Sequence, residues 1–509
     1  MAIKRIPVVD LFAGPGGLAE GFCSVTDQQG HKIFSIRASV EKDPVAHQTL
    51  TLRAIFRSFP PGKVPDCYYD YVRGHITKQD FLRNPLISEV FKNVRIEAHC
   101  ATLGEDPSSL IDGWIESAIG GHDPWVLIGG PPCQAYSLAG RSRMRSSDPK
   151  AFEEDKRHFL YKEYLRIIQV FRPTVFVMEN VKGILSSSYN GLPIFDRILD
   201  DLSHPASGLD YEIRSFVTSP SGTPNLPEDF VIRSEHFGIP QMRHRVILLG
   251  IRSDNAFRPH QLLCQKEQQV SVQDVLSGLP KIRSRISREK DSFEEWLNVL
   301  QTAINILDKW NSPIRGELVA SMVGEVKKSR HIENTGQPFI PIVEPFTRHI
   351  SPELVNWLHD ECLGGVCQHE SRSHMRSDLH RYLFSSCHAK YQGHVPKLGK
   401  FPSKLLPNHS NVSGEKIPFE DRFRVQISSR PSSTVVSHIA KDGHYYIHYD
   451  PAQCRSLTVR EAARLQTFPD NYFFEGHRTQ QYTQIGNAVP PFLSKQLGEI
   501  VASFLLSSR

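Results

Sequence analysis

A cysteine follows an apolar strand candidate at a point where it could act as a nucleophile. The segment 129–134 reads GGPPCQ and comes directly after the apolar run 125–128. The carboxyl end of a parallel strand is where α/β proteins bind ligands, and the two prolines stiffen the chain before Cys133. Because a thiol is partly ionised at neutral pH, Cys133 could attack an electron-poor carbon. A buried, inert cysteine is the alternative interpretation.

Charged side chains lie next to two other strand candidates. Glu179 follows the apolar run 174–178 and could act there as a general acid. Gln241, Arg243 and Arg245 alternate just before the next strand candidate. On an extended chain these three side chains would face one way, as a ridge able to hold a phosphate or a pyrimidine carbonyl. The alternatives are a solvated acid and a structural ion pair.

A glycine-rich turn near the start of the chain has the form of a nucleotide-binding turn. The strand candidate 7–12 is followed by Gly14 and Gly16 and then by a helical pattern. Such a turn lets a ligand approach backbone N–H groups. Glu41 ends the following strand candidate, where a carboxylate can accept both hydroxyls of a ribose. The third glycine of the commonest dinucleotide fingerprint is absent, so a purely structural turn is the alternative.

The elements that must position these residues alternate between strand and helix as far as Gly250. This order predicts a doubly wound α/β fold with a mostly parallel sheet. The alternation is lost over 281–430, which predicts a second, smaller domain. The apolar positions of 492–506 fall on one helical face and predict a helix that packs back onto the first domain. The predicted domains are 1–275, 276–430 and 431–509, of which the last completes the first.

Composition limits the class of protein. The chain has 60 Lys and Arg against 55 Asp and Glu, and this net charge of +5 is too small to indicate nucleic-acid binding by itself. No apolar run approaches the length of a membrane span, and we expect no secretory signal. Nine sparse cysteines without a disulfide pattern favour a reducing compartment, so we expect a cytoplasmic protein.

Six segments, taken in order, resemble the cytosine-C5 DNA methyltransferase family. They are Phe12-Ala-Gly-Pro-Gly-Gly17, Pro132-Cys133-Gln134, Glu179-Asn180-Val181, Gln241-x-Arg243-x-Arg245, Arg460-Glu-Ala-Ala-Arg464-Leu-Gln-Thr-Phe-Pro469-Asp470 and Gly486-Asn487-Ala488-Val489-Pro490-Pro491. Their order and their places at predicted strand ends make a chance match negligible. The resemblance covers 1–275 and 430–509, and the segment 281–430 falls where the family has a variable target-recognition domain.

The resemblance implies a mechanism on a Rossmann-like, S-adenosylmethionine-dependent domain. A methyl group would pass from S-adenosylmethionine to C5 of a cytosine flipped out of duplex DNA, at a cost of roughly a few kcal/mol. Cys133 would add to C6 of the base, because C5 becomes nucleophilic only in that adduct. Glu179 would contact N3 and the exocyclic amine, and Arg243 and Arg245 would hold the base O2 or a phosphate near Cys133.

The resemblance also assigns the remaining site residues. For the cofactor they are Phe12, Gly14, Gly16, Glu41, His75, Ile76, Asn487 and Val489, and for DNA they are Gln134, Ser137, Arg141, Arg143, Arg145 and Gln241. His75 departs from the family, which has Asp in the corresponding Gly-Asp-Ile-Thr after its third strand. A neutral imidazole lacks the charge of a carboxylate, so we expect weaker cofactor binding, and tighter binding in His75→Asp.

The segment 281–430 is rich in His and basic residues. Cys362, Cys367, His369 and His374 lie close together in the sequence, but their spacing is not a standard zinc pattern, and no metal site is predicted. DNA-contacting side chains are the preferred interpretation. The candidate contacts are Lys281, Arg283, Arg285, Arg288, Arg372, Arg376 and Arg381.

Three other functions fit parts of the chain. The glycine turn alone fits an NAD-dependent oxidoreductase, which a nicotinamide absorbance assay would detect. A non-catalytic DNA-binding relative and an RNA methyltransferase fit the six segments. We favour a DNA (cytosine-5-)methyltransferase of the bacterial restriction-modification type, which acts on duplex DNA as a monomer and is paired functionally with a restriction endonuclease. The residues do not specify its recognition sequence.

Overall fold

The computed structural model describes residues 5–132, 160–189, 192–219, 226–255, 261–342, 346, 350–408 and 420–506. Two compact units make up the chain. Unit 1 comprises Met1–Tyr68, Lys78–Gln268 and Ala488–Arg509, and unit 2 comprises Tyr69–Thr77 and Gln269–Asn487. Unit 2 therefore extends to Asn487, beyond the segment 276–430 that the sequence assigns to target recognition. That functional assignment stays a prediction.

The main sheet belongs to unit 1. In chain order the strands are β1 (Ile6–Leu11), β2 (Phe34–Glu41), β3 (Ala98–Cys100), β4 (Val126–Gly129), β5 (Val175–Val181), β6 (Ser188–Tyr189), β7 (Leu192–Pro193), β8 (Tyr211–Arg214), β9 (Val231–Arg233), β10 (Gln241–Met242), β11 (His244–Arg252), β12 (Arg285–Ile286), β13 (Gly336–Pro341), β14 (Gly365–Glu370), β15 (Ser373–His374) and β16 (Ser432–Ser433). The sheet order is β3-β2-β1-β4-β5-β11-β8, and β9 also pairs with β11.

Strand directions agree with the predicted fold class. The strands from β3 to β5 run parallel to one another, and only β11 and its neighbours β8 and β9 add antiparallel pairs. The predicted doubly wound, mostly parallel sheet is confirmed. Its strands β1, β4 and β5 are almost wholly buried, as parallel strands covered on both faces must be.

Helices cover this sheet and build much of unit 2. In chain order they are α1 (Gly17–Ser24), α2 (Pro44–Arg57), α3 (Asp66–Arg73), α4 (Lys78–Arg83), α5 (Pro85–Glu97), α6 (Ser108–Ile119), α7 (Leu160–Phe171), α8 (Ile194–Ser203), α9 (Val272–Leu276), α10 (Phe293–Asn305), α11 (Arg315–Ser329), α12 (Pro352–Leu358), α13 (Arg376–Gln392), α14 (Val459–Leu465), α15 (Arg478–Asn487) and α16 (Pro491–Leu506). Within the described ranges, none of them has the length and apolar character that a membrane span requires.

The C-terminal helix α16 packs on α1 within unit 1. Ser494 Oγ donates to the Leu18 carbonyl oxygen at 2.7 Å. A Cβ at Gly21 would lie 2.3 Å from the Lys495 backbone nitrogen, so only glycine allows this close approach. The last helix of the chain therefore shapes the surroundings of the first glycine turn.

The third strand lies at a different place from the one expected. By resemblance to the family, Gly74–Thr77 is expected to follow the third strand, but this stretch follows α3 and belongs to unit 2. The third strand of the sheet is β3, whose residues Ser39 to Glu41 on β2 pair with Ala98 to Cys100. The expectation about strand position is wrong, because the four helices α2 to α5 lie between β2 and β3, and Gly74–Thr77 lies among them.

Unit 2 has a core of its own. Trp296 and Leu300 of α10, Met322 of α11 and Leu383 of α13 are fully buried together in it. β13 and β14 form an antiparallel pair, and β12 and β15 form a short parallel pair. α14 begins with a capping box in which the Thr458 hydroxyl accepts the Glu461 N–H, and the Glu461 carboxylate accepts the Thr458 N–H.

Candidate active site

The glycine turn after β1 has a backbone that few residues adopt. Phe12 and Gly14 have φ of 57° and Gly16 has φ of 97°, after which α1 begins. A Cβ at Gly14 would meet no atom within 4 Å, so the space beside this residue is open to a ligand. A Cβ at Gly17 would lie 2.4 Å from the Val489 carbonyl oxygen. The structure therefore brings the predicted cofactor residues of the turn together with Val489.

Glu41 lies at the carboxyl end of β2, beside the same turn. Its Oε2 accepts the Gly14 N–H at 2.7 Å, and its Oε1 accepts the Asp43 N–H at 2.8 Å. Burial raises the pKa of Glu41, and the two amide hydrogen bonds oppose that rise. Each carboxylate oxygen keeps accepting capacity. An acceptor of this kind next to the open space at Gly14 fits the ribose of a nucleoside cofactor.

Glu179 lies at the carboxyl end of β5 and touches the backbone that leaves β4. A Cβ at Gly130 would lie 3.0 Å from Glu179 Oε2. The next side chain, Asn180, donates from Nδ2 to the Pro131 carbonyl oxygen at 3.2 Å. Both contacts fix the chain that leads to Pro132. The predicted residues Cys133, Gln134, Ser137, Arg141, Arg143 and Arg145 lie outside the described residues.

Arg245 forms an ion pair with Glu179 at this sheet edge. Its Nε lies 2.8 Å from Glu179 Oε1, and both side chains are only 13% exposed. The pair arises from the antiparallel register of β11 on β5, which sets Ile247 opposite Glu179 and Arg245 two residues away on the same face. Burial lowers the pKa of the Arg245 guanidinium, and the carboxylate of Glu179 opposes that change.

Gln241 and Arg243 are also buried, but the chain between them is not extended. The Arg243 N–H donates to the Gln241 carbonyl oxygen at 3.0 Å, which forms a tight turn between β10 and β11. The Ser234 hydroxyl accepts the Arg243 N–H at 3.0 Å and donates to the Gln241 carbonyl oxygen at 2.7 Å. The turn and the Ser234 hydroxyl therefore position these two residues, and strand alternation does not.

Sequence reasoning misses Asp10, which lies in the same strand as the glycine turn. Asp10 is fully buried in β1 and neither of its carboxyl oxygens has a hydrogen-bond partner among the described residues. Burial is the main cause that raises its pKa to about 8. The available signal is a single acid inside the otherwise apolar strand IPVVDL.

The carboxyl ends of β1, β2, β4 and β5 thus carry an open glycine turn, a ribose-type acceptor and a buried acid–arginine pair. The family profile described as C-5 cytosine-specific DNA methylase matches residues 111–502 of this chain. The type II methyltransferase M.Bpa9945I of Bacillus paralicheniformis is 32% identical over 508 residues, which cover 96% of both chains. The chain belongs to the C-5 cytosine-specific DNA methylase family. It is a cytosine-5 DNA methyltransferase.

Other relatives of this methyltransferase agree with its fold and length. The DNA (cytosine-5-)-methyltransferase M.ApeKI of Aeropyrum pernix is 26% identical over 448 residues, which cover 81% of this chain and 87% of the relative. The crystal structure of a prophage-encoded E. coli protein, assigned as a DNA modification methyltransferase, aligns with a TM-score of 0.50 at 19% identity. That alignment covers 99% of this chain and all of the other, and it supports the fold.

Three predicted cofactor residues of the methyltransferase belong to unit 2. His75 and Ile76 lie just after α3, and the His75 side chain is 59% exposed, with Nδ1 3.5 Å from Asp70 Oδ1. Asn487 is the last residue of α15. Their contact with the cofactor, and the tighter binding expected of His75→Asp, stay predictions.

Most basic side chains predicted to contact DNA have partners inside unit 2. Arg283 is bidentate on Asp291 and 5% exposed, Arg376 pairs with Glu289 and Glu295, and Arg381 pairs with Asp378. The residues considered for zinc have other roles as well. Cys367 donates to the Val72 carbonyl oxygen, and His369 bridges Thr458 Oγ1 and the Pro280 carbonyl oxygen. These side chains serve the fold of unit 2.

Proposed function

We propose that this methyltransferase transfers the methyl group of S-adenosylmethionine to C5 of a cytosine that is flipped out of a specific duplex sequence. A covalent bond between Cys133 Sγ and C6 of the base is the intermediate. The observation that carries the proposal is the buried Glu179–Arg245 pair beside Gly130, three residues before Cys133. An acid–arginine pair that is only 13% exposed, beside the chain that leads to a candidate thiol nucleophile, is an arrangement typical of acid–base catalysis.

The reaction on the base needs a nucleophile and an acid. The Cys133 thiolate adds to C6, and the electron pair of the C5–C6 double bond moves into the ring. Glu179 delivers a proton to N3, which offsets the negative charge that builds up there. Arg245 and Arg243 hold the base O2 or a phosphate. After methyl transfer, the C5 proton passes to water, the Cys133 thiolate leaves, and the N3 proton returns to the Glu179 carboxylate, which restores the aromatic ring and the protonated acid.

The cofactor is bound by the carboxyl ends of β1 and β2. S-adenosylmethionine supplies an electrophilic methyl group on a sulfonium ion. Glu41 accepts the ribose hydroxyls, and the backbone of Phe12 to Gly16 lies against the methionine part. Val489 closes the turn from the side of Gly17. The open space at Gly14 and the remaining acceptor capacity of Glu41 support this assignment.

Duplex DNA is the substrate, and we assign its readout to the segment 276–430. The basic residues Arg141, Arg143 and Arg145 would contact phosphates, and Gln134, Ser137 and Gln241 would contact the flipped nucleotide or its neighbours. The type II designation of M.Bpa9945I supports a functional pairing with a restriction endonuclease. A monomer is sufficient for this reaction.

A duplex that carries 5-fluorocytosine tests the covalent step. Fluorine at C5 cannot leave as the proton does, so the adduct should persist through denaturing electrophoresis in the presence of S-adenosylmethionine. The expected result is a covalent complex with the wild-type protein and none with Cys133→Ser, which should still bind the duplex. Cys264→Ser is the matched control, because Cys264 is an exposed cysteine elsewhere in unit 1, and it should be trapped like the wild type. Trapping by Cys133→Ser would refute the proposed nucleophile.

A host that expresses the protein tests the target. Bisulfite sequencing of its DNA should show cytosine-5 methylation at one short sequence. A host that expresses Cys133→Ser should show none. Unmodified DNA with the folded wild-type protein would contradict the proposed substrate.

A further inference from the structure

A carboxyl group without a hydrogen bond lies inside the main sheet. Asp10 is 0% exposed, and its neighbours in register are Ser39 on β2 and Ile128 on β4. The Ser39 hydroxyl is also buried and has no hydrogen-bond partner among the described residues. An unpartnered buried acid costs stability that an apolar residue would not. The strand itself therefore gives no structural reason for an acid at this position.

Two charged groups, Arg57 and Glu41, act on Asp10, and the charged side chains of this part of unit 1 have partners of their own. Glu20 of α1 binds Arg53 of α2 through two hydrogen bonds of 2.8 and 2.5 Å, and Arg57 of α2 lies 2.9 Å from Glu97 of α5. The titratable groups that interact with Asp10 are Arg57 on α2, Glu41 on β2 and Tyr164 on α7.

The net effect keeps a proton on Asp10 near neutral pH. Burial is the largest cause of the raised pKa of about 8, Arg57 opposes the rise, and Glu41 adds to it. The Ala19 amide lies near enough to lower the pKa slightly, although it makes no hydrogen bond of normal geometry. A nearby change of one charge can therefore decide whether Asp10 is ionised.

Asp10 lies directly below the proposed cofactor turn. It precedes Phe12 by two residues, roughly 7 Å of strand. Ala19 belongs to the first turn of α1, whose N-cap Gly16 has no side chain to satisfy the free N–H groups. A cation held at this turn would act on Asp10 through protein rather than through water, where charges interact more strongly.

We propose that Asp10 makes the site prefer the cationic methyl donor over its neutral, demethylated product, by losing a proton when the donor binds. This inference rests on the proposed function, since it takes S-adenosylmethionine as the ligand. The neutral carboxylic acid releases H⁺ to solvent when the sulfonium ion binds. Methyl transfer turns the sulfonium ion into a neutral thioether, and the carboxylate then takes one H⁺ back. Asp10 thus weakens product binding relative to donor binding at each turnover.

Calorimetric binding constants from pH 6.5 to pH 9 test this role. Both S-adenosylmethionine and S-adenosylhomocysteine are titrated into the full-length wild-type protein and Asp10→Asn. In the wild type, the preference for the donor should grow about fivefold more over this range than in Asp10→Asn. Titration of the ligands themselves is the same with both proteins, so the difference reports Asp10.

Ser39→Ala is the matched control, because it removes the other buried polar group and keeps the acid. It should show the wild-type pH dependence.

If Asp10→Asn does not fold, the wild type alone still tests the inference. Heats of binding measured in two buffers of different ionisation enthalpy give the number of protons released, and the donor should release more protons than the product. Equal pH dependence in wild type and Asp10→Asn, or equal proton counts for both ligands, would overturn the inference and leave the proposed cofactor standing. Failure of the wild type to bind S-adenosylmethionine would overturn the proposed cofactor instead, and this inference with it.

Discussion

Buried charge differs between the core of unit 2 and the carboxyl edge of the sheet in unit 1. In unit 2, Arg455, Arg460 and Arg464 are at most 1% exposed, and each makes several hydrogen bonds. Arg460 donates to the carbonyl oxygens of Cys367, Pro469 and Tyr472, at 2.9, 3.0 and 2.8 Å. At the carboxyl edge of the sheet in unit 1, Asp10 has no hydrogen-bond partner among the residues that the structure describes, and Glu179 shares one close contact with Arg245.

This difference separates structural from reactive charge. A buried guanidinium whose donors all have partners holds loops in place and has no capacity left for a ligand. A buried polar group without enough hydrogen-bond partners destabilises the fold unless a substrate or cofactor supplies the missing partner. Arg455, Arg460 and Arg464 are therefore structural, and the groups at the carboxyl edge of the sheet in unit 1 are the ones expected to act.

The strongest test of this comparison is Glu179→Gln. Glutamine keeps the size of the side chain but neither donates an acid proton nor balances the Arg245 charge. The methyl-transfer rate on DNA, measured with radiolabelled cofactor under conditions where the variant is folded, should fall by about 10²–10⁴-fold.

Glu212→Gln is the matched control for this rate. Glu212 is also a strand residue of unit 1, on β8, and binds Arg214 through two hydrogen bonds of 2.9 and 2.8 Å, but it is 43% exposed. Its removal should leave the rate near wild type. Similar rates for Glu179→Gln and Glu212→Gln would show that the Glu179–Arg245 pair is merely structural.

The second test addresses the structural side of the comparison. Arg464 is bidentate on Asp470, at 2.9 and 2.7 Å, and donates to the Val275 carbonyl oxygen at 3.0 Å. Arg464→Met leaves the Asp470 carboxylate buried and unpaired. The free energy of unfolding, measured with urea, should fall by about 3–5 kcal/mol.

Arg376→Met provides the exposed counterpart in the same unit. Arg376 binds Glu289 and Glu295, but its side chain is 39% exposed. Removal of a solvated pair of this kind should cost about 0–1 kcal/mol. If both variants lose equal stability, burial does not distinguish these arginines, and the structural role given to Arg464 is wrong.

Much of the sheet of unit 1 can be predicted from sequence, because local patterns determine it. The apolar runs at 7–12, 125–128, 174–178 and 246–250 coincide with β1, β4, β5 and β11. The three-residue strand β3 cannot be predicted in this way. It contains His99 and an exposed Cys100, and it becomes a strand only by pairing with β2. Short edge strands of this kind depend on their neighbours rather than on their own residues.

In the candidate site too, some features follow from local sequence patterns and others depend on neighbouring elements. The place of Glu41 and Glu179 at strand ends follows from sequence order and holds in the structure. The contact of Arg245 with Glu179 requires the antiparallel register of β11 on β5, which no local pattern specifies. That Asp10 lacks a hydrogen-bond partner among the described residues depends on the charged side chains of α1, α2 and β2, which pair with other groups. Sequence therefore predicts which residues lie at the carboxyl edge of the sheet better than it predicts which of them have a hydrogen-bond or ion-pair partner.

The third test concerns the cost of the unpartnered acid. The pKa of Asp10 rises from 3.8 to about 8 on folding. Between these values the unfolded chain loses the Asp10 proton and the folded chain keeps it, so the folded state binds more protons and stability falls as pH rises. At about 1.4 kcal/mol per pH unit, the wild type should lose about 2–3 kcal/mol between pH 5 and pH 7 relative to Asp10→Asn.

Urea unfolding of wild type, Asp10→Asn and Ser39→Ala at both pH values measures this loss. Ser39→Ala removes no ionisable group, so its effect on stability should be the same at pH 5 and pH 7. A difference between wild type and Asp10→Asn that does not change with pH would mean that the Asp10 carboxyl finds a partner in solution. In that case the contrast with the satisfied arginines of unit 2 would be limited to the Glu179–Arg245 pair, because a satisfied Asp10 would have no unused capacity for the cofactor to complete.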